Sequence, residues 1–129
     1  MSVNARKIAD LARIADLKKA ADLTELARVC RARDAVLGKL QRLDAAVKDA
    51  CGDRLGETDA GLLVAQERFA RLVQAQRAEI NIELARCNAD CQEYRSTAAL
   101  SFGRSAVLEK MAEQALADQR RAHQRAKDR

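Results

Sequence analysis

Cys87 and Cys91 stand four residues apart, so a helix sets both thiols on one face. That is the geometry of half a CX3C disulfide motif or of a two-thiolate metal clip. The other half is missing. Cys30 and Cys51 are 21 residues apart, and in the helix pairing expected below Cys30 faces about residue 80, too far along the axis from Cys87 for a bridge. All four cysteines are expected as reduced thiols, with Cys87 and Cys91 as small buried hydrophobes. The single histidine, His123, lies in a basic segment with no nucleophile fixed beside it, so triad or general-base catalysis is unsupported. The glycine cluster at 52–61 lacks the Gly-Lys-Ser/Thr ending of a phosphate-binding loop. The residues therefore predict a non-enzyme with no catalytic, cofactor or metal site and no small-molecule substrate.

The elements that carry these residues follow from composition. Of the 129 residues, 48% are hydrophobic, but 27 are alanine, which favours helix and buries little area. There is no proline or tryptophan, one Tyr, two Phe, and 33% of residues are charged. Such a chain excludes sandwiches, barrels and α/β folds and reads as long helices joined by a narrow apolar seam. Three of the five glycines fall between Gly52 and Gly61, which predicts a turn. Gly52 is suited to close one helix and Thr58 or Asp59 to cap the next. The expected fold is all-α, one coiled-coil domain over 1–129: helix 1 about 4–51, turn about 52–58 and helix 2 about 59–126.

Seam spacing alternates threes and fours. In helix 1 it takes Leu26, Val29, Val36, Leu40, Leu43, Val47 and Ala50, interrupted by Arg33; Ile8, Leu11, Ile14, Leu17 and Ala21 continue it in a shifted phase. In helix 2 it takes Leu62, Gln66, Phe69, Val73, Gln76 and Ile80, then Leu84, Cys87, Cys91, Tyr94, Ala98, Ser101, Ser105, Leu108, Ala112 and Ala115, with a stutter at Ile80. Arg33, Gln66 and Gln76 are read as side chains reaching water from an open seam. Leu72 and Ile82 fall outside the seam and widen the apolar arc of Phe69, Val73, Ile80 and Leu84. If the chain folds back at the glycines, paired residue numbers add to about 110 and residues beyond about 107 overhang. This is an antiparallel two-helix coiled-coil hairpin with a longer, overhanging second helix. Gly103, between Ser101 and Ser105, marks either a kink or a plain, weakened turn.

Net charge is +5, of which residues 119–129 carry +4. The rest is nearly balanced, so a basic patch is local to that segment. The longest apolar run, Ala60 to Ala65, is far short of a membrane span, and the first sixteen residues hold no signal-peptide core. A cytoplasmic protein without membrane insertion is expected.

Three stretches resemble one family. LARIADLKKAADLTELARVCRARDAVLGKLQRL as a short first helix, a polar glycine-containing turn, and AQERFARLVQAQRAEINIELARC opening a longer second helix are similar to the FliJ/YscO-type coiled-coil proteins of flagellar and type III secretion export. FGRSAVLEKMAEQALADQRRAHQRAKDR looks like the charged distal arm of that family. The sequence is poorer in aromatics than flagellar members. The resemblance implies a monomeric hairpin acting as a stalk, coupling the export ATPase ring to the export gate, cytoplasmic and peripheral to the export apparatus at the inner membrane. By that analogy Phe69, Val73, Gln76 and Ile80 face the gate, while Leu108, Met111, Arg120 and Arg121 face the ATPase. Two other classes stay open: a nucleic-acid-binding helical protein using the basic segment, disfavoured because no aromatics interleave the charges, and a generic self-associating coiled-coil scaffold.

Overall fold

The computed structural model describes residues 3–52 and 60–129. Two helices account for nearly all of them: α1, Val3–Gly52, and α2, Ala60–Lys127, of 50 and 68 residues. They pack antiparallel as a helical hairpin, with no strand among the described residues. α2 ends within one residue of the expected bound. The remainder of the turn, with Thr58 and Asp59, lies outside the described residues.

Packing divides the chain into two units. Unit 1 is Met1–Ala27 with Gln92–Arg129, and unit 2 is Arg28–Cys91. In unit 2 the seam is apolar: Val29, Val36 and Val73 are buried, and Leu40, Leu43, Val47, Ile80 and Leu84 are half-buried. Each fully buried valine contributes about 1.5–3 kcal/mol.

Unit 1 is built differently. The expected Leu11, Ile14, Leu17, Ala21 phase is not the seam: Leu11 is 51% exposed, Ile14 62% and Leu17 72%. The heptad of unit 2 instead continues unbroken toward the start of α1, placing Ala5, Ile8, Ala12, Ala15, Lys19 and Asp22 against α2. Opposite them lie Tyr94, Ala98, Ser101, Ser105, Leu108, Ala112 and Ala115, as the spacing of helix 2 predicts. Small residues let two backbones approach, and a straight continuation of the 3.5-residue repeat needs no change of supercoil. The large side chains are the ones left outside.

The register also differs from expectation. In unit 1 Asp16 meets Ser105, Asp22 meets Ser101 and Lys19 lies over Phe102. In unit 2 Val29 meets Cys91, Lys39 meets Glu83 and Asp44 meets Arg77. Paired numbers thus add to 120–123 in both units rather than to about 110, a slip of about eleven residues or roughly 16 Å. The expected register would set Lys39 against Arg71, two like charges, and Asp22 against Asn88. Observed pairing gives Lys39 and Asp44 opposite charges at 3.4 and 2.6 Å. One consequence is a shorter overhang. Val3 lies level with about residue 118, so α2 runs past α1 over about 119–127 instead of from about 107, and Leu108 belongs to the seam.

Gln76 is exposed and Arg77 half-buried, so the adjacent four-residue steps fall at Val73 instead of Ile80. Arg33 keeps its seam position with its guanidinium at 3.3 Å from Asp34, which raises its pKa, as the sequence reading of a polar side chain reaching water implies. α2 is continuous through Gly103, so no helix break occurs there.

The register is open to a charge-exchange test. Asp44→Arg and Arg77→Asp should each lower the melting temperature, by up to about 1 kcal/mol of stability for such exposed pairs, and the double exchange should recover most of the loss. Additive losses in the double variant would contradict the observed pairing.

Candidate partner-binding surfaces

The one polar layer in the seam of unit 1 is made by residue types that helix packing normally excludes. Ser101 and Ser105 are 5% and 1% exposed, and each hydroxyl donates to a carboxylate on α1: Ser101 to Asp22, and Ser105 to Asp16 at 3.1 Å. Lys18 holds Asp22 at 3.2 Å, and Lys19 holds Asp16 at 3.0 Å. The hydrogen bond from Lys19, then that from Ser105, lowers the Asp16 carboxyl below its ordinary pKa. The hydrogen bond from Ser101 lowers Asp22 against the opposing effect of burial. Lys19 is raised by the same Asp16 contact, and its ammonium lies 5.3 Å from the centre of the Phe102 ring. Among the described residues no buried side-chain nitrogen or oxygen lacks a partner. The layer is a satisfied register lock, and its groups are arranged for structure rather than for proton transfer to a substrate.

Two surfaces remain for recognition. In unit 2 a cleft of about 490 Å³ lies near the displaced stutter, lined by Val47, Ala50, Cys51, Gln66, Phe69, Ala70, Val73, Gln74 and Arg77. Of the four residues expected at the gate, Phe69 and Val73 line this cleft; Gln76 and Ile80 do not. Val73 is only 7% exposed because α1 covers it, so the four do not form one outward strip. Leu72 and Ile82 are exposed outside the seam, as their spacing predicts.

In unit 1 the outward large apolar residues are Val3, Leu11, Ile14, Leu17 and Leu23 on α1, and Leu100, Phe102, Val107, Met111 and Leu116 on α2. Leu108 is half-buried against α1, whereas Met111, Arg120 and Arg121 are exposed, Arg121 with Asp118 at 3.7 Å. The expected ATPase-facing set is therefore split between the seam and the overhang. The large exposed residues of α1 were assigned to the wrong face by the sequence reading; phase continuity from Ala50 back to Ala5 is the signal that finds them.

All four thiols are free, and Cys91 is 3% exposed with its Sγ 3.5 Å from the Val29 carbonyl oxygen. The corrected register puts Cys30 level with Cys91, not with residue 80. No group of three or more His, Cys, Asp or Glu side chains among the described residues is arranged to hold a metal ion. No described helix is long and apolar enough to cross a membrane.

Two measurements check this arrangement. Because Asp16 and Asp22 are lowered, the layer stabilises the hairpin above the ordinary aspartate pKa of about 3.9, and the contribution is lost as pH falls through the lowered values. The melting temperature should fall on acidification, less steeply in Asp22→Asn; an unchanged slope would remove Asp22 from the account. Alkylation of the native chain should modify Cys51 first and Cys91 last, by about tenfold or more, with the difference abolished in denaturant. Comparison of the chain with protein-family models, curated proteins and solved structures finds no match.

Proposed function

We propose that this protein is a non-enzymatic stalk or adaptor of a flagellar or type III secretion export apparatus, coupling the export ATPase ring to the export gate. The observation that carries the reading is the end of α2, which runs past the paired length of α1 and exposes Arg120, Arg121, Arg125 and Lys127. A helix freed from its partner over more than two turns, with a cationic surface, suits insertion between acidic surfaces of a larger assembly. Met111 adds an exposed apolar contact about two turns before the overhang. The cleft of unit 2, with Phe69 at its rim, is the gate-facing element on this reading. Its apolar lining and the Arg77 head group fit a helix or loop of a protein partner better than a nucleic acid.

Purified export ATPase from the same source is the test. Addition of the protein should raise ATP hydrolysis, and Arg120→Glu with Arg121→Glu should abolish the rise while leaving the helical spectrum intact. Phe69→Asp should weaken capture of the cytoplasmic part of the gate without altering ATPase stimulation. Unchanged hydrolysis across a full titration of the protein would overturn the proposal.

A further inference from the structure

Cys91 donates its thiol hydrogen across the seam of unit 2 to the Val29 carbonyl, with Sγ 3.5 Å from the oxygen. That oxygen belongs to the peptide bond that leads into Cys30. Across a planar trans peptide a carbonyl oxygen lies about 2.8 Å from the next Cα, which puts the Cys91 sulfur within roughly 6.3 Å of the Cys30 Cα. Allowing for the Cys91 side chain, the two Cα atoms are no more than about 9 Å apart. A disulfide needs them within about 7 Å, so closing one asks for at most about 2 Å of movement.

The register selects this pair. Partners in unit 2 have numbers that add to 120–122, which sets Cys30 level with Cys91. Cys87 is level with about residue 34, some 6 Å along the axis from Cys30, and Cys51 with about residue 70, where α2 offers an alanine. Exposure then divides the roles. Cys30 is half-buried and within reach of a reagent from solvent, whereas Cys91 is 3% exposed and reaches only its neighbours. Arg33 lies near both: the hydrogen bond with Asp34 raises its pKa most, and the charges of Cys91 and Cys30 add to that rise. The thiolate that attacks an oxidant therefore forms beside a guanidinium.

We infer that Cys30 and Cys91 are a redox site, oxidised to an interhelical disulfide by a low-molecular-weight disulfide of the glutathione class. Cys30 gives up its proton, and its thiolate attacks one sulfur of the reagent, breaking the S–S bond and releasing one small thiolate. Cys91 then gives up its proton and attacks the Cys30 sulfur of the mixed disulfide, forming the interhelical bond and expelling the second small thiolate. Two protein thiols lose two electrons, the reagent gains them, and the two cysteine protons end on the two small thiols. The product ties α1 to α2 in the register that Lys39 with Glu83 and Asp44 with Arg77 already mark, and closes a loop of roughly 60 residues.

Oxidised glutathione is the probe, applied to the full chain at low micromolar concentration, with tryptic peptides mapped without reduction and circular dichroism as the check on folding. The native chain should join peptide 29–31 to peptide 87–95, while Cys51 takes up glutathione. Helicity should be kept, and the melting temperature should rise by on the order of 10 °C over the reduced chain. Peptide 87–95 holds both Cys87 and Cys91, so Cys87→Ser assigns the bridge and should retain it. Cys91→Ser should stop at a glutathione adduct on Cys30. Cys30→Ser, at a half-buried position, keeps the test open should Cys91→Ser not fold: it should stay helical and leave Cys91 without glutathione. A folded native chain that forms no bridge, or whose bridge vanishes in Cys87→Ser, would overturn the inference. So would a bridged chain that melts below the reduced one.

Discussion

Register in a two-helix pairing of this composition is a problem that apolar matching does not solve. A slip of seven residues keeps every heptad position in phase, so Ala12, Ala15, Ala98 and Ala112 would meet other small residues almost as well. The carboxylates of Asp16 and Asp22 remove that freedom. In the observed pairing each accepts a hydroxyl hydrogen from a serine that is itself buried. One heptad away in either direction Asp16 would face Ala98 or Ala112, and the serines would lose their acceptors. Leaving a buried polar group unpaired costs about 1–3 kcal/mol, more than the difference between two alanine-rich contacts. Of the two hydrogen bonds, Ser101–Asp22 weighs more, because the Asp22 side chain is 13% exposed whereas that of Asp16 is 56% exposed. The ion pairs of unit 2, Lys39 with Glu83 and Asp44 with Arg77, agree with that register but are too exposed to impose it.

A polar, small-residue seam has a further effect on where the large side chains go. Unit 2 makes the contact between its helices with Val29, Val36, Leu40, Leu43, Val47, Val73, Ile80 and Leu84, leaving Leu63, Val64, Leu72 and Ile82 exposed. Unit 1 makes that contact with Ala5, Ala12, Ala15, Ala98, Ala112 and Ala115, and turns most of its large apolar residues outward. Since hydrophobic stabilisation scales with buried area, the helix contact of unit 1 gains less per residue than that of unit 2. Its exposed surface is correspondingly richer in groups able to gain from a partner. Side-chain size thus separates the two helix contacts, large apolar residues in unit 2 and alanines in unit 1.

That division explains what the sequence made legible and what it did not. The two helices, their bounds and nearly the whole seam of α2 from Ile80 to Ala115 follow from three-and-four spacing, because there the seam residues repeat without a competing apolar face. The start of α1 offered two faces, one of large residues and one of Ala5, Ala12, Ala15, Lys19 and Asp22. A reading that weights residues by hydrophobicity selects the first. Burial followed phase continuity instead, since a change of phase would have required a local rewinding of the helix pair. The register was hidden for another reason: a hairpin closed directly at the glycine cluster gives pairs adding to about 110, and nothing in apolar spacing corrects that figure. Asp16 and Asp22, the residues that do, read in isolation as ordinary surface acids. Of the candidate site residues, Phe69, Gln76, Met111, Arg120 and Arg121 are accessible, whereas Val73, Ile80 and Leu108 serve the seam.

Gly103 joins these threads. It sits in α2 between Ser101 and Ser105, at the level where the polar lock forms, so a helix break there would disturb both hydrogen bonds. The helix nevertheless runs straight through it. Flanking residues in the seam are held on one side by Asp22 and Asp16, which restrains the backbone that glycine would otherwise loosen by about 1 kcal/mol relative to alanine. With conformational freedom suppressed, what glycine still supplies is absence of a side chain on the outer face, between Leu100 and Val107. The lock on the inner face is therefore what allows α2 to carry a position without a side chain on its outer face at the same helical turn.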